Sequence, residues 1–133
     1  MSSLTVPSPL PPDLEDLVRR VIGALIRVHR ELGAGLSESI YAAATRLELQ
    51  ASGIAFEAEK SVPVRYRGQL LGYHYVDLLV EGKVVVELKS VECLRPVHVA
   101  QVVMYLRLTG ARIGLLANFN VPILKQGLRR VIR

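Results

Sequence analysis

The chain has 133 residues, which suits a single domain, and half of them are hydrophobic. Its 17 Lys and Arg outnumber its 12 Asp and Glu, and the net charge of +5 favours an anionic partner such as nucleic acid. The only cysteine, Cys93, excludes an internal disulfide and a Cys-based zinc site, and is typical of a cytoplasmic protein. No apolar run is long enough for a membrane helix, so we expect no membrane partner. The mean hydropathy of +0.31 leaves apolar surface that a homodimer would cover.

The first twelve residues differ in composition from the rest of the chain. Residues 1–12 hold four Pro and three Ser, and they lack the basic and apolar regions of a signal peptide. We therefore expect a flexible leader at 1–12, followed by one domain at 13–133.

Two helices are predicted after the leader. Apolar residues recur at helical spacing over 13–32, and Gly33 ends that helix. A second helix is expected over 37–52, with Ser37 as its N-cap. Glu38 and Tyr41 share one face of it, although the helix dipole alone favours a carboxylate in the first turn.

Three segments rich in β-formers are separated only by short polar turns: 55–65, 70–80 and 84–90. Such turns predict antiparallel pairing. A helix over 96–109 leads to a buried strand over 113–117, which implies a parallel pair and a right-handed crossover. The end of the chain, 128–132, fits either an edge strand or a short helix. The order predicts an α/β fold around a mixed sheet.

The second and third strands form a hairpin that brings two acids together. A loop at 81–83 pairs Val80 with Val84 and sets Asp77 opposite Glu87. Alternate residues of a strand share a face. The pairing therefore places both carboxylates on one side of the hairpin.

This pair of acids is costly unless a positive charge lies beside it. Two charges about 5 Å apart repel by roughly 3 kcal/mol at an effective dielectric of about 20. Lys89, on the same face as Glu87, relieves part of this, and a divalent cation would relieve more. The alternative is a solvated strand face with a cross-strand salt bridge.

The helix over 96–109 carries one narrow polar stripe: His98, Gln101, Tyr105 and Thr109. Arg107 lies on the opposite side and marks the solvent face. A polar stripe on an inward face needs partners, and the carboxylates of the hairpin are candidates. The alternative is that His98 and Tyr105 cap the core and find their partners locally.

Taken together, these residues resemble the PD-(D/E)XK nuclease superfamily and, more narrowly, the GxxExxY family of small bacterial and archaeal proteins. The resemblance spans residues 14 to 131. The matching elements follow in order: Gly35-x-x-Glu38-x-x-Tyr41, Asp77, Glu87-x-Lys89, Gln101-x-x-x-Tyr105 and the stretch at 115–119. Val76 stands where the superfamily name has a proline, and a proline there would supply no ligand. The resemblance implies an αβββαβ restriction-endonuclease-like core with an extra N-terminal helix.

The resemblance also implies the roles of individual residues. Catalysis would rest on Asp77, Glu87 and Lys89. The ligands of Mg²⁺ or Mn²⁺ would be Glu38, Asp77, Glu87 and the backbone carbonyl of Leu88. Substrate positioning would fall to Gln101, Tyr105 and His98. The implied activity is metal-dependent hydrolysis of nucleic acid, DNA more than RNA.

Two other interpretations remain open from the sequence. A non-catalytic module that keeps the nuclease fold would suit a small chain with two Phe and no Trp for base stacking. A dimeric scaffold would use only the surplus of apolar surface. Lys60, Arg65 and Arg67 fit phosphate contacts and ordinary surface charge equally well.

Overall fold

The computed structural model describes residues 8–133. Its helices are α1 (Pro12–Leu32), α2 (Glu38–Ala51) and α3 (Pro96–Thr109). Its strands are β1 (Phe56–Tyr66), β2 (Gln69–Val80), β3 (Val84–Lys89), β4 (Ile113–Asn118) and β5 (Leu128–Ile132). None of the described helices is both long and apolar enough to cross a bilayer.

All five strands form one sheet in the order in which they follow along the chain. β3 and β4 are parallel, and every other neighbouring pair is antiparallel. The predicted α/β class, with its αβββαβ core and extra N-terminal helix, is confirmed. The ambiguous segment at 128–132 is an edge strand.

The sheet is covered on both sides, and β3 shows this most clearly. Val84, Val86 and Leu88 belong to the larger core cluster, which α1 and α2 cover. Val85 belongs to a second cluster with residues of α3. β3 is therefore buried on both faces, as its continuous apolar run predicts. The centre of the sheet is a rigid base for the end of β3.

The β2–β3 hairpin has the predicted register, but its ladder is short. Val80 pairs with Val84, and the last paired residues are Leu78 and Val86. On β2, Val76 packs on the α3 side whereas Leu78 packs on the α1–α2 side. Residues two apart share a face in a regular strand. The side chains of β2 therefore change sides across residue 77, the position of the predicted acid.

Beyond this point the β1–β2 hairpin projects away from the rest of the sheet. We call residues 60–76 the hairpin arm. β3 pairs only with the inner end of β2, so no third strand supports the arm on that side. None of residues 63–75 is buried. The outer part of this ribbon therefore adds no buried residue to the core.

The last residues of the expected flexible leader at 1–12 contact the folded domain. Leu10 is buried, and Pro12 already begins α1. Arg112 donates a hydrogen bond to the carbonyl of Pro9. The apolar side chain of Leu10 joins the main core, which the high Pro content of the segment concealed. The rest of that prediction, residues 1–7, lies outside the described residues.

Candidate active site

Asp77 and Glu87 meet where the β2–β3 ladder ends. The backbone N–H of Asp77 donates to Oε1 of Glu87 over 3.0 Å, and the N–H of Leu88 donates to Oδ2 of Asp77 over 2.9 Å. Each side chain thus bonds to the backbone of the opposite strand where the next pair of the ladder would form. The two carboxylates are locked side by side at the fork between the strands.

The electrostatics of this pair are unfavourable without a further positive charge. Burial, followed by repulsion from Asp77, raises the pKa of Glu87 to about 8. Burial also raises the pKa of Asp77, and the charge of Glu38 raises it further. The N–H of Leu88 and the charge of Lys89 act in the opposite direction without cancelling the effect. Two close carboxylates that cannot both ionise freely are common at functional sites.

Lys89 is held beside the acids by α3. Its Nζ donates to Oε1 of Gln101 over 3.1 Å, and Nε2 of Gln101 donates to the Tyr105 hydroxyl over 3.3 Å. Burial raises the pKa of Tyr105, and the charges of Glu87 and Asp77 add to this effect. Gln101 and Tyr105, the middle of the polar stripe predicted on α3, therefore lie toward the sheet, and Gln101 reaches the predicted lysine.

Glu38 comes from the other side of the sheet and lies at the margin of the site. It is the first residue of α2 and is exposed, and its Oε2 lies 3.4 Å from the backbone N of Ser90. Within residues 8–133 no group of three or more His, Cys, Asp or Glu is arranged to hold a metal ion. The structure thus brings together Asp77 and Glu87, but it does not bring Glu38 into one cluster with them.

The Gly-x-x-Glu-x-x-Tyr segment builds the turn that presents Glu38. Gly35 has a φ of +100°, a backbone conformation that residues other than glycine rarely adopt. Tyr41 is buried, its ring stacks on Phe119 with centroids 4.3 Å apart, and its hydroxyl donates to the carbonyl of Gly33. Glycine and tyrosine are therefore needed for the shape of the turn, and only the glutamate points toward chemistry.

The segment after Lys89 is fixed by β4. The side chain of Asn118 accepts a hydrogen bond from the N–H of Val91 and donates one to its carbonyl, each over 3.0 Å. Ser90 is tied to the turn before α2, because its hydroxyl donates to the carbonyl of Leu36. These bonds set where β3 ends and hold Glu38 near that end.

His98 has a local partner. Its Nδ1 accepts a hydrogen bond from the backbone N–H of Arg95 over 2.9 Å, which closes the first turn of α3. The proposed contact of His98 with substrate therefore stays a prediction, and only its Nε2 is left for it.

Sequence reasoning did not single out His74. Its ring centroid lies 6.2 Å from that of Tyr105, so the histidine borders the α3 side of the site. No motif contains it, and the only available signal was its alternation with Val76, a core residue of the same side.

A divalent metal fits the two-carboxylate site. The described hydrogen bonds to the pair use Oδ2 of Asp77 and Oε1 of Glu87, which leaves the second oxygen of each carboxylate for a cation. Mg²⁺ and Mn²⁺ prefer such hard oxygen ligands, and Mg²⁺ usually keeps several waters with only one or two carboxylates. After burial, repulsion from Asp77 is the main cause of the raised pKa of Glu87, and a cation between the two carboxylates would relieve that repulsion.

The fold and the site together define a class of nuclease-like α/β proteins with acids at a strand fork and a lysine two residues beyond. The family model of the PD-(D/E)XK nuclease superfamily matches residues 15–131. The chain therefore belongs to the PD-(D/E)XK nuclease superfamily. No curated protein and no solved structure matches it.

Proposed function

We propose that this protein is a metal-dependent nuclease that hydrolyses phosphodiester bonds of nucleic acid, with DNA as the preferred substrate. One observation carries the proposal: Asp77 and Glu87 each bond to the backbone of the opposite strand at the fork, and Lys89, two residues after Glu87, has its Nζ held by Gln101. Two adjacent buried acids lower the stability of the fold, and a role in phosphodiester hydrolysis would explain why they are present.

Asp77, Glu87 and the carbonyl of Leu88 would hold Mg²⁺ or Mn²⁺, and Glu38 would contribute through water from the rim. Bound there, the metal would acidify a water and neutralise charge on the phosphate. We assign catalysis to Asp77, Glu87 and Lys89 because Asp77 of β2 meets the last residues of β3 where the two strands separate.

Lys89 would bind the scissile phosphate and stabilise the negative charge that develops on it. Its Nζ has three protons, and Gln101 accepts one of them. The other two remain for a phosphate oxygen and for the attacking water. Fixed donors of this kind are usually the largest electrostatic contribution to catalysis.

Gln101 and Tyr105 would act as positioning residues. The amide of Gln101 joins the ammonium of Lys89 to the Tyr105 hydroxyl, and this chain restricts the lysine to one direction. His98, at the start of the same helix, would reach substrate through Nε2. All three side chains come from α3, so one rigid helix sets their spacing.

The finer identity of the chain is also proposed. Gly35, Glu38 and Tyr41 form a turn whose shape depends on the glycine and the tyrosine, which supports membership of the GxxExxY family. The net charge of +5 supports an anionic substrate. A cytoplasmic location and a homodimer complete the proposal.

The test is cleavage of labelled single-stranded and double-stranded DNA and RNA with Mg²⁺ or Mn²⁺, and with EDTA as the metal-free arm. Lys89→Ala and Asp77→Asn should each lower the rate at least 100-fold. Lys83→Ala removes an exposed lysine in the turn of the same hairpin and serves as the matched control. Equal cleavage by wild type and Lys89→Ala would show that the activity belongs to a contaminant.

A non-catalytic binding module is the second candidate, and one observation favours it. Within residues 8–133 the acids do not form a three-membered metal cluster, because Glu38 stays at the margin. Titration calorimetry with Mn²⁺ separates the candidates. Binding that is lost in Asp77→Asn supports the nuclease, whereas nucleic-acid binding without any metal binding supports the module.

A further inference from the structure

The hairpin arm is unusually rich in exposed tyrosine. Three of the five tyrosines of the chain lie on it: Tyr66, Tyr73 and Tyr75. Their exposed fractions are 67%, 55% and 59%. Tyrosine normally hides much of its ring, and a concentration of exposed aromatic rings on one element marks an interaction surface.

Two of these rings share one face of the arm. Tyr73 and Tyr75 alternate along β2 with His74 and Val76, and Val76 packs against residues of α3. Tyr73 and Tyr75 therefore lie on the face turned away from α3. Across the strand pair their partners are Pro63 and Ser61, which are too small to cover either ring.

The charge of the arm has a single sign. Residues 60–76 contain Lys60, Arg65 and Arg67 and no Asp or Glu. The one described ion pair of these cations is between Lys60 and Glu57, at the base of the arm. Both arginines are exposed. Aromatic rings interleaved with free cations are the composition that binds nucleic acid strands.

The arm leads directly into the acid pair. Tyr75 is two residues before Asp77 on the same strand, a distance of about 7 Å along the backbone. A strand that rests on Tyr73 and Tyr75 would pass the position of Asp77, where the side chains of β2 change sides.

We propose that the hairpin arm binds single-stranded nucleic acid by stacking bases on Tyr73 and Tyr75, and that it guides the strand to Asp77. This inference rests on the proposed nuclease function and specifies its substrate as an unpaired strand. In a duplex the base faces are stacked on each other, so tyrosine rings gain little from it. A second copy of this chain fits poorly, because two arms with three cations each would repel.

The experiment measures binding by fluorescence anisotropy of a labelled 15-nucleotide oligo(dT) and of a duplex of the same length. It is run in EDTA, so that cleavage plays no part. The double variant Tyr73→Ala/Tyr75→Ala should bind the single strand at least tenfold more weakly, because it removes both rings on which bases would stack. Tyr73→Phe/Tyr75→Phe keeps both rings and should stay within threefold of wild type.

Tyr66→Ala is the matched control. Tyr66 is at least as exposed, but alternation along β1 puts it on the side of Val62, opposite Tyr73 and Tyr75. Its removal should change affinity less than threefold. Arg65→Gln should flatten the dependence of affinity on salt by about 0.7 in the slope of log K against log salt.

Two results would overturn the proposal: unchanged single-strand affinity in the alanine pair, or tighter binding of the duplex than of the single strand by wild type. The first assigns the rings to something other than nucleic acid, and loss of a dimer in the same variant would identify that role as contact with a second copy. Melting curves that match wild type confirm that the alanine pair folds.

Failure of this inference can be distinguished from failure of the proposed function. Ring-dependent binding of the single strand without any metal-dependent cleavage would keep the arm as a binding surface and reject the nuclease. Cleavage that needs Lys89 but not the rings of Tyr73 and Tyr75 would keep the nuclease and reject the arm.

Discussion

Glu15 and Glu87 are two glutamates with opposite relations to the fold. Glu15, in the first turn of α1, accepts hydrogen bonds from both terminal nitrogens of Arg130, at 2.8 and 3.1 Å, and from Ser8. These partners lower its pKa. Glu87 is only 3% exposed and faces Asp77, and burial with that repulsion raises its pKa to about 8.

The difference separates an acid that stabilises the fold from one that strains it. The pair of Glu15 and Arg130 joins α1 to the edge strand β5, with a guanidinium matched to a carboxylate. Glu87 gains a backbone partner but remains beside a second acid. A buried like-charge contact lowers stability, so its reason lies in what the protein binds or does.

The largest expected effect comes from comparing two single variants, Glu87→Gln and Glu15→Gln, each of which makes one glutamate neutral. Glu87→Gln should lower nuclease activity at least 100-fold and raise the free energy of unfolding by roughly 1–2 kcal/mol, because glutamine needs neither to hold a charge beside Asp77 nor to take up a proton on folding. Glu15→Gln should leave activity unchanged and lower stability slightly. Urea unfolding at pH 7.5 in EDTA, together with a cleavage assay, measures both quantities.

The informative result is that stability rises in Glu87→Gln and falls in Glu15→Gln, whereas activity falls only in Glu87→Gln. Glutamine keeps the shape of glutamate and can still accept the N–H of Asp77, so any change reports charge rather than packing. A fall in stability for Glu87→Gln would contradict the assignment of Glu87 as the strained acid.

The second prediction concerns a divalent cation. Mn²⁺ at about 100 times its dissociation constant should stabilise wild type by about 2.7 kcal/mol, since a ligand that binds only the folded state stabilises it. Glu15→Gln should show the same rise in melting temperature, and Glu87→Gln should show little of it. An equal rise in all three proteins would place the cation elsewhere, and Ca²⁺ serves as a comparison with a looser geometry.

The third prediction tests how Gln101 positions Lys89 beside Asp77 and Glu87. Gln101→Ala should lower kcat about tenfold with KM nearly unchanged, because Lys89 loses its acceptor and its fixed direction. Tyr105→Phe removes only the farther hydrogen bond, from Gln101, and should cost about threefold. A rise in KM without a fall in kcat would make Gln101 a binding residue instead.

The sequence predicts the surroundings of Glu87 but not those of Glu15. The site of Glu87 depends on a local hairpin, since a short turn and strand alternation set Asp77 opposite it. The same reasoning gave the pairing of Val80 with Val84, which is confirmed. The partner of Glu15 is 115 residues away along the chain, and no periodicity reveals such a contact.

Three other features could not be predicted from the sequence, for related reasons. The change of sides at Asp77 interrupts the period of two on which strand reasoning rests, so the position of the arm could not be derived. Glu38 was expected among the metal ligands, but where its carboxylate ends up depends on the turn built by Gly35 and Tyr41. The sequence contains Tyr73 and Tyr75, but it does not show that α3 covers the other side of the strand and leaves both rings exposed.

The smallest effect should come from the pH dependence of the Glu15 contact. Its pKa is lowered in the folded state, so its contribution to stability is present above the unfolded value of 4.5 and disappears as pH falls through the folded value. Wild type should melt about 2 °C above Glu15→Gln at pH 7, as expected for an ion pair of about 0.5 kcal/mol.

The difference should vanish once the pH lies well below the folded-state pKa of Glu15, where the group is protonated in both states. Arg130→Gln should reproduce the loss at pH 7, and combining the two variants should add little, because both remove the same contact. A melting difference that is constant from pH 7 to well below that pKa would mean that Glu15 stabilises α1 through packing, and its contrast with Glu87 would then no longer be one of charge.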